Sequence, residues 1–500
     1  MSERISGATS ADRGDEESDL TSSRARRFPE TAGFRESVVG YTLPKEVETK
    51  LDKHQKRALD YLTAAARGLA AIYDEQRRPS SADPQEPFYP KDATKDEIRE
   101  AGRQNPDILS PYTIVTRGDS GELNAIPQFI YYRNLIKQEE IVQFLQRAAK
   151  EIRKSKRKDP LFESFLRERA MAFQTGDFEK SEVTWLTRED EPEINIEIGF
   201  DDTYADRFLG IKYAAEAWVD VYDPETTFHV REFQNRFLSV EEERSDRPRP
   251  LIRSRVAYLK IATGQAGVYE WTGQSMPCQP EWRQKYGSLI TIWKEPLEDK
   301  FRTKLAAFGR FINHINRRGV QHSSLRLANL RTHAGHEMAH TWVNGNIDAL
   351  GDHKNTVKEL YCDLVALDNY RQIKDFNPRE SEIAMALKLS SSYIEYMQRE
   401  TRKEYSESST ILLNYLIEKG SIWIENGLIT WSDTPQVFED IGELRGEMED
   451  IIEKGSVGRV REIKRSYLNL DVYDYLITRQ SYPFPAKEIE DPGTALQSQL

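Results

Sequence analysis

"EINIEIGFDDTY", residues 193–204, alternates apolar and polar side chains for its first eight positions. That period of two is the mark of a β-strand with two unlike faces. A second alternating run, "AAEAWVDVYD" at 214–223, follows after a turn, and the two are expected to pair. "SLITIWKE" at 288–295 reads as a third strand. Upstream, "TLPKEVETKLDKHQKRALDYLTAAARGLAAIYDEQ" carries its apolar residues at helical spacing, a polar "RRPSSADPQEP" interrupts, and "EEIVQFLQRAAKEIRKSKRKDP" is an amphipathic helix whose basic end is a solvated last turn. From about residue 298 the helical period dominates, through "EDKFRTKLAAFGRFINHIN", "TVKELYCDLVALDNYRQI" and "STILLNYLIEKGSI". Mixed sheet and helix first, then mostly helix, predicts an α+β fold with two lobes.

The chain is too long, at 500 residues, for one compact core. A net charge of −12 argues against nucleic acid as a partner, because phosphate neutralisation needs a basic face. No run of about 18 apolar residues is present to span a membrane. The start lacks an apolar signal core, and the two cysteines, Cys278 and Cys362, suit a reducing compartment, so a cytoplasmic enzyme or binding protein is expected. Residues 1–36 are Ser-, Arg- and acid-rich and read as a disordered leader. No repeat, Gly-rich phosphate loop or nucleophile elbow was found.

"RTHAGHEMAHTWVNGN", residues 331–346, places three of eight histidines within eight positions. His336 and His340 are four apart, so on a helix both imidazoles reach one ion with Glu337 beside them, the HExxH arrangement. The alternative is a pair of hydrogen-bonded structural histidines. A zinc site of this kind needs a third protein ligand and leaves one position for water. "NTVKELYCDLVAL" supplies candidates: Glu359 and Asp363 share a face of an otherwise apolar helix, where burial is costly without a cation. Glu359 is the candidate third ligand and Asp363 can fix a histidine tautomer. Against this, Thr356 and Glu359 fit the T-x-x-E capping box, in which Glu359 would only cap the helix.

These blocks, together with "KRALDYLTAAARG", "FYPKDATKDEI", "LSPYTIV", "LNAIP", "DPLFESFLRERAMAFQTGDFEKSEVTWL", "IEIGFDDTYADRFLGIKYAAEAW", "GSLITIWKEPLEDKF" and "LLNYLIEKGSI", resemble the dipeptidyl peptidase III group of zinc peptidases. The similarity is greatest to its bacterial branch and to the peptidase-like region of plant Nudix hydrolase 3. The resemblance implies a two-lobed, zincin-like protein with a β-structured lower lobe, a helical zinc-bearing upper lobe and a cleft that takes a short peptide or small amide. It divides the chain into 37–222 with 255–297 below, 223–254 with 298–480 above, and a tail at 481–500. It implies one zinc ion held by His336, His340 and Glu359, with Glu337 as the base, Asp363 behind a ligand, and Tyr204 steadying the oxyanion. Without the resemblance Tyr204 reads as an ordinary turn aromatic. Asp202 matches an acidic residue that holds the substrate's amine.

Departures fall where peptides are anchored. Lys358 stands where an acidic residue precedes the third ligand; Tyr405 stands near a missing histidine; Gln274 or Ser275 replaces a substrate-binding asparagine; Thr341 replaces a glycine. His333 and His353 receive no role. The leading expectation is a zinc hydrolase cleaving amides of short peptides. The alternatives are a zinc enzyme repurposed for a small non-peptide substrate and a catalytically silent zinc-containing binding protein.

Overall fold

The computed structural model describes residues 37–77, 88–188, 191–244, 250–343, 346–400 and 402–482. The expected leader at 1–36, nearly all of the tail at 481–500 and most of the polar interruption after Arg77 lie outside the described residues.

The expected strands form and pair. Ile194–Asp201 runs antiparallel to Ala214–Tyr222 in the register Ile194 opposite Val221. The long strand Ile252–Gly264 lies beyond, antiparallel to the second; its first half then pairs in parallel with Ser288–Trp293, whose other edge carries the short strand Gly273–Met276. Its second half pairs with Val38–Gly40. The sheet is mixed and open rather than a closed barrel.

Alternation along Ile252–Gly264 and Ser288–Trp293 separates two hydrophobic cores. Ala257, Leu259, Leu289 and Trp293 join a core with the helices Lys53–Arg77, Ile141–Lys154 and Pro160–Thr175. Val256, Ile290 and Ile292 point the other way, into a second core built with the helices Pro224–Arg244, His322–Ala339, Lys354–Gln372 and Lys403–Lys419. The molecule is therefore two-lobed and α+β, with the sheet as the wall between its cores. The N-terminal helical run is two helices rather than one: Lys45–Lys50 ends at Leu51, and the Asp52 carboxylate accepts from the backbone N–H groups of His54 and Gln55 to start the second. A carboxylate at that position satisfies amides that a continuous helix would have left to its own carbonyls.

Candidate metal centre

His336 and His340 end the helix His322–Ala339, which tightens into a 3-10 turn at His340–Trp342 without separating the two rings, whose centroids lie 4.9 Å apart. Packed against it is Lys354–Gln372, buried continuously from Glu359 to Tyr370. Glu359 does not cap this helix. The helix begins at Lys354, and the Thr356 hydroxyl donates to Glu407 at 2.6 Å. Glu359 is a mid-helix carboxylate with no exposed surface.

Ligand atoms of His336, His340 and Glu359 all fall within 4.8 Å of one another. His336 Nδ1 is 2.9 Å from Asp363 Oδ1, which leaves its Nε2 facing Glu359 Oε2 at 3.2 Å. That Glu359 oxygen is buried and accepts no hydrogen bond. The two atoms thus converge on one point that a single proton or cation can fill. Burial alone would lower the His336 pKa, but Asp363 and then Glu359 outweigh it and raise it to about 10, so a proton occupies the place that a cation would take. Burial would raise Glu359; Lys358 and the two histidines hold it well below the usual carboxylate range. Burial keeps His340 neutral, its pKa well below the ordinary value, which is the form that binds a metal. Two imidazoles and a carboxylate with an open side fit zinc.

Around the triad lie contacts with no local sequence signal. Lys388 Nζ sits 2.6 Å from Asp363 Oδ2 and so fixes the carboxylate that orients His336. Cys362 Sγ is 3.3 Å from His340 Nδ1, and Arg283 donates to the His340 carbonyl at 2.7 Å. Gly273, on the edge strand of the sheet, passes so close that an added Cβ would lie 2.7 Å from His333 Nε2 and 3.3 Å from Glu337 Cγ. Only glycine lets that strand approach Glu337.

Glu337 is buried, and desolvation first of all raises its pKa to about 7, where a carboxylate can exchange a proton near neutrality. His333 Nε2 is 3.7 Å from Glu337 Oε1. From the turn after the strand Ile194–Asp201, Tyr204 donates its hydroxyl to Glu359 Oε1 at 3.0 Å and lies 3.5 Å from the Tyr405 hydroxyl. Lys358 Nζ reaches the Tyr204 oxygen at 3.4 Å and Glu359 Oε1 at 3.4 Å. Asp202 adopts φ +56° and its carboxylate accepts from the Thr203 amide at 2.7 Å; burial first of all raises its pKa, and Lys358 opposes the shift. The structure thus gathers His336, Glu337, His340, Lys358, Glu359, Asp363, Tyr204 and Tyr405. Gln274 and Ser275 do not line the cavity beside Glu337. The Gln274 amide donates to Glu216 at 2.9 Å, inside the sheet. His353 has no place in the metal triad.

A histidine pair on one helix and a glutamate on the next, facing a cleft across which a tyrosine reaches, define a candidate mononuclear metal site. No protein-family model and no curated protein matches the sequence. Solved structures do. Dipeptidyl-peptidase III from Corallococcus sp. strain EGB superposes with a TM-score of 0.74 over 86% of this chain and 91% of its own, at 18% identity. The DPP III structure from Caldithrix abyssi gives a TM-score of 0.72 over 87% of this chain and 94% of its own, at 16% identity. The fold is that of dipeptidyl peptidase III.

Proposed function

We propose that the protein is a zinc hydrolase of the dipeptidyl peptidase III type that cleaves amide bonds of short peptides entering the interlobe cleft. The observation that carries this reading is the convergence of His336, His340 and the fully buried Glu359 within one 4.8 Å triad, with Glu337 buried beside it. His336, His340 and Glu359 hold the ion, which when bound supplies Lewis acidity toward the scissile carbonyl and the attacking water. Glu337 accepts the water's proton and returns it to the leaving amine. Asp363, clamped by Lys388, keeps the His336 ring in one tautomer. Tyr204 swings its hydroxyl from Glu359 to the developing oxyanion. Asp202 takes the free amine of the substrate, while Lys358 and Tyr405 border the same space.

The two cores support dividing the lobes at 37–222 with 255–297 and 223–254 with 298–480. No helix among the described residues is long and apolar enough to cross a membrane. Two free thiols, Cys278 and Cys362, support a cytoplasmic setting. A repurposed zinc enzyme for a small non-peptide substrate is the second reading, favoured by the Gln274 side chain being tied to Glu216 rather than offered to the cleft.

The residues must fail in different ways. His340→Ala should deplete zinc. Glu337→Gln should keep about one zinc per chain and lose at least the roughly hundredfold to ten-thousandfold that general acid–base catalysis supplies. Normal turnover by Glu337→Gln refutes the mechanism; full zinc retention by His340→Ala refutes the site.

A further inference from the structure

On the Glu337 side the cleft opens into a cavity of about 410 Å³. Its wall carries cations that lack the partners buried cations ordinarily have. Lys300 and Lys304 stand one turn apart on the helix Lys294–Phe311, so both leave the same face, and both line the cavity together with Arg402. Lys304 donates to the Asn329 side-chain oxygen at 3.3 Å, and Arg402 donates to the Tyr269 backbone carbonyl. None of the three forms an ion pair with a carboxylate among the described residues. Lys388, in the same cavity, shows the contrast: Asp363 and Glu395 hold it at 2.6 and 3.2 Å.

The acids on the same wall are engaged, exposed or reserved for the reaction. Glu395 is committed to Lys388 and to the Ser409 hydroxyl, Asp363 to Lys388 and His336, Asp299 faces Arg302 at 3.6 Å, Glu270 is exposed, and Glu337 is the base beside the scissile amide. Burial first, then repulsion from Arg402 and Lys304, makes Lys300 give up its proton far more readily than an exposed lysine; burial acts on Lys304 in the same direction. Like charges gathered at a half-buried wall raise the energy of the empty cavity, and an anion placed among them lowers it.

We infer that this cavity is a carboxylate-binding subsite in which Lys300, Lys304 and Arg402 receive an anionic group of the substrate whose scissile amide lies at Glu337. The inference rests on the peptidase reading of the cleft and adds a substrate class to it: peptides with an acidic side chain or a free chain end beyond the cleaved bond. Neither Asp202 nor Tyr204 lines this cavity. With the substrate's amine at Asp202, the carboxylate therefore falls in the product that leaves C-terminally.

The test uses full-length, zinc-loaded Glu337→Gln protein, titrated by calorimetry with two matched pairs of tetrapeptides. One pair differs by glutamate or glutamine at the third position, with amidated ends. The other is all-alanine with a free or an amidated C-terminus. At least one carboxylate peptide should bind about tenfold or more tightly than its amide counterpart, as a charge-assisted contact with several cations requires. The pair that discriminates identifies the source of the carboxylate. Lys300→Met with Lys304→Met should bring the difference below about twofold, while Lys304→Arg keeps it. If the double variant does not fold, single Lys300→Gln and Lys304→Gln variants carry the same comparison. Equal binding within both pairs overturns the subsite, as does discrimination that survives loss of the lysines. The parent enzyme tells the two readings apart: discrimination without cleavage of any peptide refutes the peptidase and leaves the subsite, whereas cleavage without discrimination refutes only the subsite.

Discussion

Asp363→Asn is the sharpest perturbation of the metal centre that leaves its ligands in place. Asp363 spends one oxygen on His336 Nδ1 at 2.9 Å and the other on Lys388 Nζ at 2.6 Å. An asparagine cannot serve both. If its oxygen faces His336, its NH2 meets the Lys388 ammonium; if it turns over, it offers His336 a donor and forces the other tautomer, with the proton on the atom that should bind metal. Loss of such a supporting carboxylate costs about 10- to 100-fold in metal affinity, or about 1.4 to 2.7 kcal/mol. Removing one partner of a buried pair also destabilises the fold by about 3 kcal/mol, the low end of the usual cost, because Glu395 remains 3.2 Å from Lys388. A competition titration against a zinc indicator reads the first effect and urea unfolding the second. A zinc Kd within about threefold of the parent, well under the tenfold floor, would show that Asp363 does not position His336.

Three further outcomes are expected. Tyr204→Phe keeps its zinc and loses about 100-fold or more in kcat, the worth of one oxyanion donor; unchanged kcat would remove Tyr204 from the reaction. Gly273→Ala must push the edge strand away from backbone-anchored neighbours, since its Cβ would lie 3.2 Å from the Thr291 carbonyl and 2.7 Å from His333 Nε2, so it lowers both activity and Tm; an alanine variant with parental rates shows that the strand can give way freely. Zinc uptake depends on pH through His336. Its metal-free pKa, about 10, lies above the unfolded value near 6.5, so the ion-paired proton stabilises the metal-free fold below about pH 6.5, and this contribution fades as pH rises toward 10. Zinc must displace that proton, so apparent affinity rises about tenfold per pH unit between pH 7 and 9, with one proton released per ion in calorimetry; a flat profile refutes the His336–Asp363–Glu359 electrostatics.

What the sequence made legible was local. The i, i+4 spacing of His336 and His340 and of Glu359 and Asp363 needs only a helix to put each pair on one face. The alternation at 194–201 and 214–222 needs only a sheet with two unlike sides, yet the apolar residues of both strands enter one core, and it is the strands at 252–264 and 288–293 that divide between the two. Where a local rule misled, tertiary packing overrode it: Thr356 and Glu359 match a capping box, but Glu407 captures the Thr356 hydroxyl and the helix starts earlier. A continuous helical period at 53–77 extended backward across Leu51 because Asp52 offers no periodic signal, only a cap. Lys388 behind Asp363, Cys362 behind His340 and Gly273 against Glu337 were illegible, since each contact joins elements whose approach is fixed by packing. Lys300 and Lys304 read as the polar side of an amphipathic helix; only the folded cavity, with Arg402 arriving from about a hundred residues later, shows what that side faces.

The central claim is that one ion at His336, His340 and Glu359 works with Glu337 to cut peptide bonds. The most direct measurement is a digest of a mixed short-peptide library by the zinc-loaded protein, read by mass spectrometry, with a chelated sample and zinc-loaded Glu337→Gln alongside. The account predicts N-terminal dipeptides from the loaded parent only, lost on chelation and restored by zinc. An intact library in the presence of a full complement of zinc would contradict it, as would the same products from Glu337→Gln at the parental rate.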